Sequence, residues 1–406
     1  MRIAYLTSRL PYPPIGGDRL RAYYFLRHLL RSHDVTLYAI RSQLRGSADM
    51  DFSGLPGLRK KLVRSSPATY IGNSLKALFS DLPLQVKLYE NKRLTHALTA
   101  DIERGEFDLL FVHLVRMAEY ARPFAQLPRI LDMTDSIQLN YSRMSPKMLS
   151  PLWLATRVDC KRLARYETEV SGWFDKVLVA SPVDLDWIRD RSGHSNFILV
   201  PQGVDLENFQ FAEQAGYTNR IIFFGKLDAL PNADAAVYFA REIFPLVKRL
   251  VPDASFVVLG WNPPRNVRAL GHLPGVIVHA NVPDVRPEVA KSAVSVAPMR
   301  FGAGIQTKIL ESLALGVPVV ASPSAAQAVG DGGAAGILVG RDPSEFAHQV
   351  TRLLTDSACR ERLSRAGRSL VESRYTWERV LAPLDRVLET VTKLSRRSSC
   401  VSGAAP

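Results

Sequence analysis

Between residues 302 and 322 the chain reads GAGIQTKILESLALGVPVVAS, with two glycines, a lysine and a glutamate ahead of an apolar run. Gly302 and Gly304 would let the backbone approach a ligand closely. A helix over Ile305–Leu315 would offer unpaired N–H groups and the positive end of its dipole to an anion. Lys308 falls in the first turn of that helix. Glu311 lies on the same face one turn deeper, where it would accept hydrogen bonds from a diol. The chemistry suggested is capture of a phosphorylated ligand that carries hydroxyls. The same spacing equally describes a surface pair at i,i+3, and spacing alone leaves the two readings level.

A second set of candidates lies in the first half. His113 ends the run LLFVH, and Asp132 and Asp135 follow the run RILDM. At the carboxyl ends of parallel strands, His113 or Asp132 would polarise a hydroxyl or stabilise positive charge on a reacting carbon. A core histidine and a capping aspartate are the bland alternatives. Asp184-Leu185-Asp186 is formally a D-x-D metal signature. It sits in a helical pattern that sends its two carboxylates to different faces, as a solvated helix start, so no bound metal is expected.

The elements that must position these groups alternate along the chain. Ile3–Thr7, a helix from Gly17 with Leu20, Tyr23, Tyr24 and Leu30 near one face, and Val35–Ile40 make a βαβ unit, which implies a parallel sheet. Further strands are expected at 109–113, 129–133 and 176–180. A helical stretch over 151–173 has Leu154, Val158 and Leu163 sharing a face. The pattern resets near Pro201-Gln202-Gly203-Val204-Asp205, and the boundary is placed within 195–210. Strands at 221–224, 256–259, 276–279, 293–297 and 317–321 then alternate with helices, one spanning 233–250. The expected fold is α/β, two Rossmann-like doubly wound parallel-sheet domains over 1–200 and 201–374, facing each other across a cleft. A helix over 375–393 is expected to pack back toward the amino-terminal domain, ahead of a disordered tail over 394–406.

Composition narrows the function. The 406 residues are 47% hydrophobic and 22% charged, ordinary for a soluble globular chain of two domains. Three scattered cysteines give neither a disulfide framework nor a metal spacing, which suits a reducing cytoplasm. No signal peptide is legible, and no run reaches the ~18 apolar residues of a membrane span. The net charge of +13 includes Arg59-Lys60-Lys61 with Arg64, but no nucleic-acid signature accompanies it. An anionic substrate or an anionic membrane surface is the favoured partner, and nucleic acid is not expected. The helices after residue 55, including that basic run and LPLQVKLYEN, are candidates to meet a lipid-linked acceptor.

The run Thr307-Lys308-Ile309-Leu310-Glu311 through Gly316-Val317-Pro318-Val319-Val320-Ala321-Ser322 resembles the nucleotide-sugar motif of glycosyltransferase family 4, retaining enzymes of the GT-B fold. Gly225-Lys226 with Pro231-Asn232-Ala233-Asp234 resembles the first βα turn of that family's carboxyl-terminal domain. Val200–Asp205 resembles its inter-domain loop, with glutamine where asparagine is usual. Pro14–Arg19 resembles its amino-terminal glycine loop. Residues 116–120 and 132–136 are similar to a narrower exopolysaccharide-associated (PEP-CTERM/exosortase-type) subgroup.

The resemblance implies transfer of a sugar from a nucleoside-diphosphate donor of UDP or GDP type to a hydroxyl acceptor, glycan or lipid-linked, in cell-surface glycan biosynthesis. It implies no cofactor and a cytoplasmic enzyme, at most peripheral on the inner face of the plasma membrane. Lys226 and Lys308 would neutralise the diphosphate, and Glu311 would bind the ribose. Amides around Gly16 and Gly17 would close over the diphosphate or acceptor; Gly225, Gly302, Gly304, Ile305 and Thr307 would line the donor. The family's second glutamate, eight residues before the ribose-binding one, is here Ala303. The alternatives are a nucleotide-sugar epimerase or phosphorylase of the same fold, the latter without its pyridoxal-phosphate motif, and a non-catalytic sugar or polyanion-binding protein.

Overall fold

Short apolar runs, each followed by a helix, pair side by side as parallel strands. The computed structural model describes the chain except residues 15, 43–51, 144–151, 213–217, 303, 330–335 and 403–406; of 42, 152–157, 218 and 394–402 only the backbone is described. Two units form: Met1–Val200 with Leu381–Pro406, and Pro201–Val380.

The first unit carries β1 (Arg2–Thr7), β2 (Asp34–Ser42), β3 (Arg59–Ser65), β4 (Leu109–His113), β5 (Arg129–Thr134), β6 (Lys176–Val179) and β7 (Phe197–Leu199). Their order is β3-β2-β1-β4-β5-β6-β7, all parallel. Its helices are α1 (Gly17–Leu29), α2 (Pro67–Leu78), α3 (Leu84–Leu88), α4 (Lys92–Glu103), α5 (Ile137–Ser142), α6 (Leu152–Ser171) and α7 (Pro182–Ser192). Ala4, Leu6, Leu110, Val112, Leu131 and Val177 sit in the main core of this unit. Ile3, Tyr5, Leu109 and Phe111, on the other face, are buried too, as a sheet covered by helices on both sides requires.

The second unit carries β8 (Thr218–Lys226), β9 (Ser255–Trp261), β10 (Val276–Ala280), β11 (Ser292–Ala297), β12 (Val319–Ala321) and β13 (Ile337–Val339), in the parallel order β10-β9-β8-β11-β12-β13. Its helices are α8 (Leu230–Tyr238), α9 (Phe244–Leu250), α10 (Arg265–Arg268), α11 (Arg286–Ala290), α12 (Thr307–Ala314), α13 (Pro323–Ala328), α14 (Pro343–Thr355) and α15 (Ser357–Arg374). A final helix, α16 (Trp377–Ser402), begins in this unit, and from Leu381 on it belongs to the first. The strand order reverses between β1 and β4 in one unit and between β8 and β11 in the other. Those reversals open the crevices where α/β sheets bind ligands.

Several sequence expectations need correction. Residues 59–65 are not helical: they are the edge strand β3, paired with β2 from Thr36↔Arg59 to Ser42↔Ser65. Exposed Arg59, Lys60, Lys61 and Arg64 are residues that edges use against stray pairing. Helix α1 buries Arg21, Ala22, Phe25, Leu26 and Leu29, leaving Leu20, Tyr23, Tyr24 and Leu30 only half-buried. In α6 Leu163 is buried and Val158 exposed, because five residues of helix turn a side chain well off the shared face. The helix expected over 233–250 is three segments, α8, a π turn at Phe239–Ile243, and α9. The backbone of 394–402 is helical where a disordered tail was expected, since the first glycine or proline after Pro383 is Gly403; 403–406 lie outside the described residues.

Candidate functional site

In the second unit three loops at the β8–β11 reversal bring the donor candidates together. Strand β8 ends on Gly225 and Lys226, and Gly225 takes φ 149°, which a side chain resists. A Cβ there would stand 3.3 Å from Asn232 Nδ2 and 3.4 Å from Lys308 Cε. Gly302, at φ 128°, lies where a Cβ would come within 4.0 Å of Pro231 and 3.7 Å of Gln306 Nε2. Helix α12 starts at Thr307 rather than Ile305, with Gln306 as an N-cap whose side chain makes no capping bond. Ile305 and Thr307 are half-buried around this end. Ala303 lies outside the described residues.

Lys308 is buried to 5% exposure, and its hydrogen-bond partners are neutral. Its Nζ donates to Asn232 Oδ1 at 2.6 Å and to Gln306 Oε1 at 3.4 Å, and lies 4.8 Å from the Phe223 ring centroid. Among the described residues it makes no ion pair. Burial pushes its ammonium down to about 8, against the pull of Glu311. Burial likewise pushes the Glu311 carboxyl up to about 7, against the pull of Lys308. The two are electrostatic neighbours and not a surface pair. Lys226 is a quarter exposed and pairs with Asp228 at 3.2 Å.

Asn232 is the residue whose role sequence reasoning missed. Its Nδ2 donates to the Lys226 carbonyl at 2.9 Å while its Oδ1 accepts from Lys308, so one amide ties both lysines. Its place beside Pro231 at the start of α8 was legible, but Lys308 is 76 residues away.

In the first unit His113 and Asp132 do come together, beneath the surface at 1% and 0% exposure. Asp132 Oδ1 and Oδ2 accept from Arg21 Nε at 3.0 and 2.9 Å, and Oδ1 accepts from Arg21 Nη2 at 2.9 Å. Asp132 Oδ2 is 2.9 Å from His113 Nδ1, whose Nε2 is 3.0 Å from the Asp18 carbonyl. Both ring nitrogens therefore lie within hydrogen-bond reach of an oxygen. Burial works to raise the Asp132 carboxyl, but Arg21 and His113 hold it below the usual carboxylate range. The groups that reach nearer the surface at the β1–β4 reversal are others. Arg9 Nη1 pairs with Asp18 Oδ2 at 3.0 Å, and Arg116 Nη2 stands 3.7 Å from the same oxygen. Both arginines share Tyr89: Arg9 Nε donates to its hydroxyl at 3.3 Å, and the Arg116 guanidinium lies 4.9 Å from its ring centroid.

Asp135, half-buried, accepts from Asn140 at 3.0 Å; burial and then Asp184 push its carboxyl up to about 7. The D-x-D carboxylates diverge as expected, with Asp186 exposed. Asp184, however, is buried and not solvated, because it accepts from Ser136 N at 2.9 Å and from the Ser181 hydroxyl. Gly16 precedes α1 at φ 95°, and Gly17 opens it.

Residues 218–356 match the family model described as glycosyl transferases group 1. No curated protein matches the chain. Among solved structures, sucrose-phosphate synthase from Thermosynechococcus elongatus is similar with a TM-score of 0.76 at 15% identity, over 97% of this chain and 100% of that one. Anabaena HepE, solved with UDP and glucose, is similar at TM-score 0.66 and 13% identity, over 96% and 99%. WaaG, a glycosyltransferase involved in lipopolysaccharide biosynthesis, gives 0.65 and 13%, over 94% and 98%. The chain thus has the GT-B fold, two parallel-sheet α/β units, and carries a group 1 glycosyltransferase domain over residues 218–356.

Proposed function

We propose that this protein transfers a sugar from a nucleoside-diphosphate sugar to a hydroxyl acceptor, with retention, as the family 4 resemblance implies. The observation that carries the reading is the seat of Lys308. A buried ammonium is costly unless something anionic completes its surroundings. Here its protein partners are neutral, and they lie beside Lys226 and two glycine turns inside the matched domain. A diphosphate supplies the missing charge, and Glu311 accepts from the ribose hydroxyls. The solved structure of HepE with UDP and glucose supports a donor of this class.

In the reaction the bond from the sugar's anomeric carbon to the diphosphate oxygen breaks, and the leaving diphosphate takes the electron pair. The acceptor oxygen bonds to that carbon from the same face and passes its proton to a diphosphate oxygen. Lys308, Lys226 and the amides opening α12 stabilise charge growing on the leaving group, where fixed positive groups lower the barrier most. Arg9 and Arg116 stand at the acceptor side. His113 and Asp132 act one layer down, holding the Asp18 backbone. The pathway proposed is exopolysaccharide or other cell-surface glycan synthesis, in the cytoplasm.

A donor screen with purified protein, read by product mass, tests this reading: one nucleoside-diphosphate sugar should add one sugar to an acceptor. Lys308→Ala and Glu311→Ala should each weaken donor binding by about 10- to 100-fold, the worth of a charged hydrogen bond. Interconversion of the donor without an acceptor, or unchanged affinity in both variants, would sink it.

A further inference from the structure

We propose that helix α2, with the basic strand β3 that precedes it, is a docking surface for an anionic lipid bilayer. Ile71, Leu75, Leu78 and Phe79 are 64%, 59%, 66% and 94% exposed. At 3.6 residues per turn these four fall within about a third of the helix circumference. Among the described residues the remaining large exposed apolar side chains, such as Leu250 and Ile277, are scattered along the sequence.

The helix is fixed with that face outward. On its opposite side Asn73 and Ala77 are buried, and Asn73 Nδ2 donates to the Glu90 carbonyl at 2.9 Å. Arg162 Nη1 donates to the Ala77 carbonyl at 3.0 Å, and Ser66 caps the amino end. A single soluble helix gains nothing from presenting a phenylalanine and three aliphatic side chains to water.

Charge selects the occupant. From residue 59 to residue 80 the chain has Arg59, Lys60, Lys61, Arg64 and Lys76 and not one acidic residue. Lys61 is tied to Asp101, whereas Arg59, Lys60, Arg64 and Lys76 are exposed. Protection of a sheet edge explains the cations of β3 but neither Lys76 nor the apolar face it flanks. A second copy docked about a two-fold axis would set this basic surface against itself. An interfacial helix with apolar residues on one side and cations beside them is instead what an anionic leaflet binds.

The surface also leads inward. Tyr70 of α2 meets Tyr89 edge-on, with ring centroids 6.4 Å apart, and Tyr89 is the ring that Arg9 and Arg116 share. If the sugar-transfer reading holds, this continuity places the acceptor cluster next to a membrane and points to an acceptor carried on lipid. Docking itself does not require that reading.

The test sediments full-length protein with vesicles of phosphatidylcholine alone and of phosphatidylcholine mixed with phosphatidylglycerol, at low and high salt. The protein should pellet with the mixed vesicles at low salt and be released by high salt. Lys60→Glu with Arg64→Glu should weaken partitioning about fivefold or more for each cation lost. Leu75→Ser with Phe79→Ser should weaken it at least about tenfold. These positions are exposed, and an unchanged circular dichroism spectrum checks the fold. Equal binding to both vesicles, binding that neither pair of substitutions alters, or no binding would overturn the proposal. So would self-association, seen by sedimentation equilibrium, that Leu75→Ser with Phe79→Ser abolishes while vesicles recover no protein. Since no donor or acceptor enters this assay, a protein that docks yet transfers nothing refutes only the transfer reading.

Discussion

Lys308 and Glu311 titrate close to one another, and the order of their values sets a window. Burial brings the lysine down to about 8 and the glutamate up to about 7, so both are charged only between those values. Above about 8 the free amine must regain a proton before it can face a diphosphate, and affinity should fall by up to about tenfold per pH unit. Below about 7 the protonated carboxyl accepts less well from the ribose. Calorimetry with a nucleoside-diphosphate sugar should therefore find tightest binding between pH 7 and 8, with proton uptake at pH 9 that differs between buffers of different ionisation enthalpy. A flat profile would remove Lys308 from the diphosphate. At this scale the closeness of Lys308 and Glu311 was legible because one contiguous motif carries them. Asn232, Arg9 and Arg116 were not, since the partners that tie them to their clusters, Lys308 for Asn232 and Tyr89 for both arginines, lie tens of residues away. Nor was the depth of His113 and Asp132, because nothing in the pattern of α1 marks Arg21 as a buried partner.

The cluster of Arg21, Asp132 and His113 pins α1 to the ends of β4 and β5. Those ends are strained: Leu114 and Thr134 take φ of 74° and 70°, rare for branched side chains. Each costs on the order of 1–3 kcal/mol and persists because its surroundings fix it. Leu114 N donates to the Asp132 carbonyl at 2.8 Å, and Ala180 N donates to that of Thr134 at 2.7 Å. Removing one member of the buried pair should be severe. Arg21→Met is expected to lower unfolding free energy by about 3–5 kcal/mol, and Arg21→Met with Asp132→Leu to recover much of the loss. Urea unfolding of the two variants measures this; a single variant no less stable than the double would show that the pair does not hold the cluster. Strands buried on both faces could be read from their apolar runs. Strand β3 could not, because a sheet edge tolerates the basic residues that disguise it.

At the scale of the molecule, the alternation of strands and helices and the reset near Pro201 made two parallel sheets legible, and the fold has them. The units differ in one respect. Pro201–Val380 is a single stretch of chain with its own core, whereas the first unit needs residues from both ends. Leu381, Leu384, Leu388 and Val391 are buried, and Asp385 Oδ1 lies 3.0 Å from His28 Nε2 of α1. A fragment of residues 201–380 should therefore unfold cooperatively and still bind a nucleoside diphosphate by calorimetry. A fragment of residues 1–200 should be prone to aggregate, and soluble, cooperatively folding 1–200 would count against this division. The same discontinuity sets an order of events during synthesis. The amino-terminal unit leaves the ribosome first but must wait, with apolar surface uncovered, until the whole of Pro201–Val380 and then its own closing helix have been made.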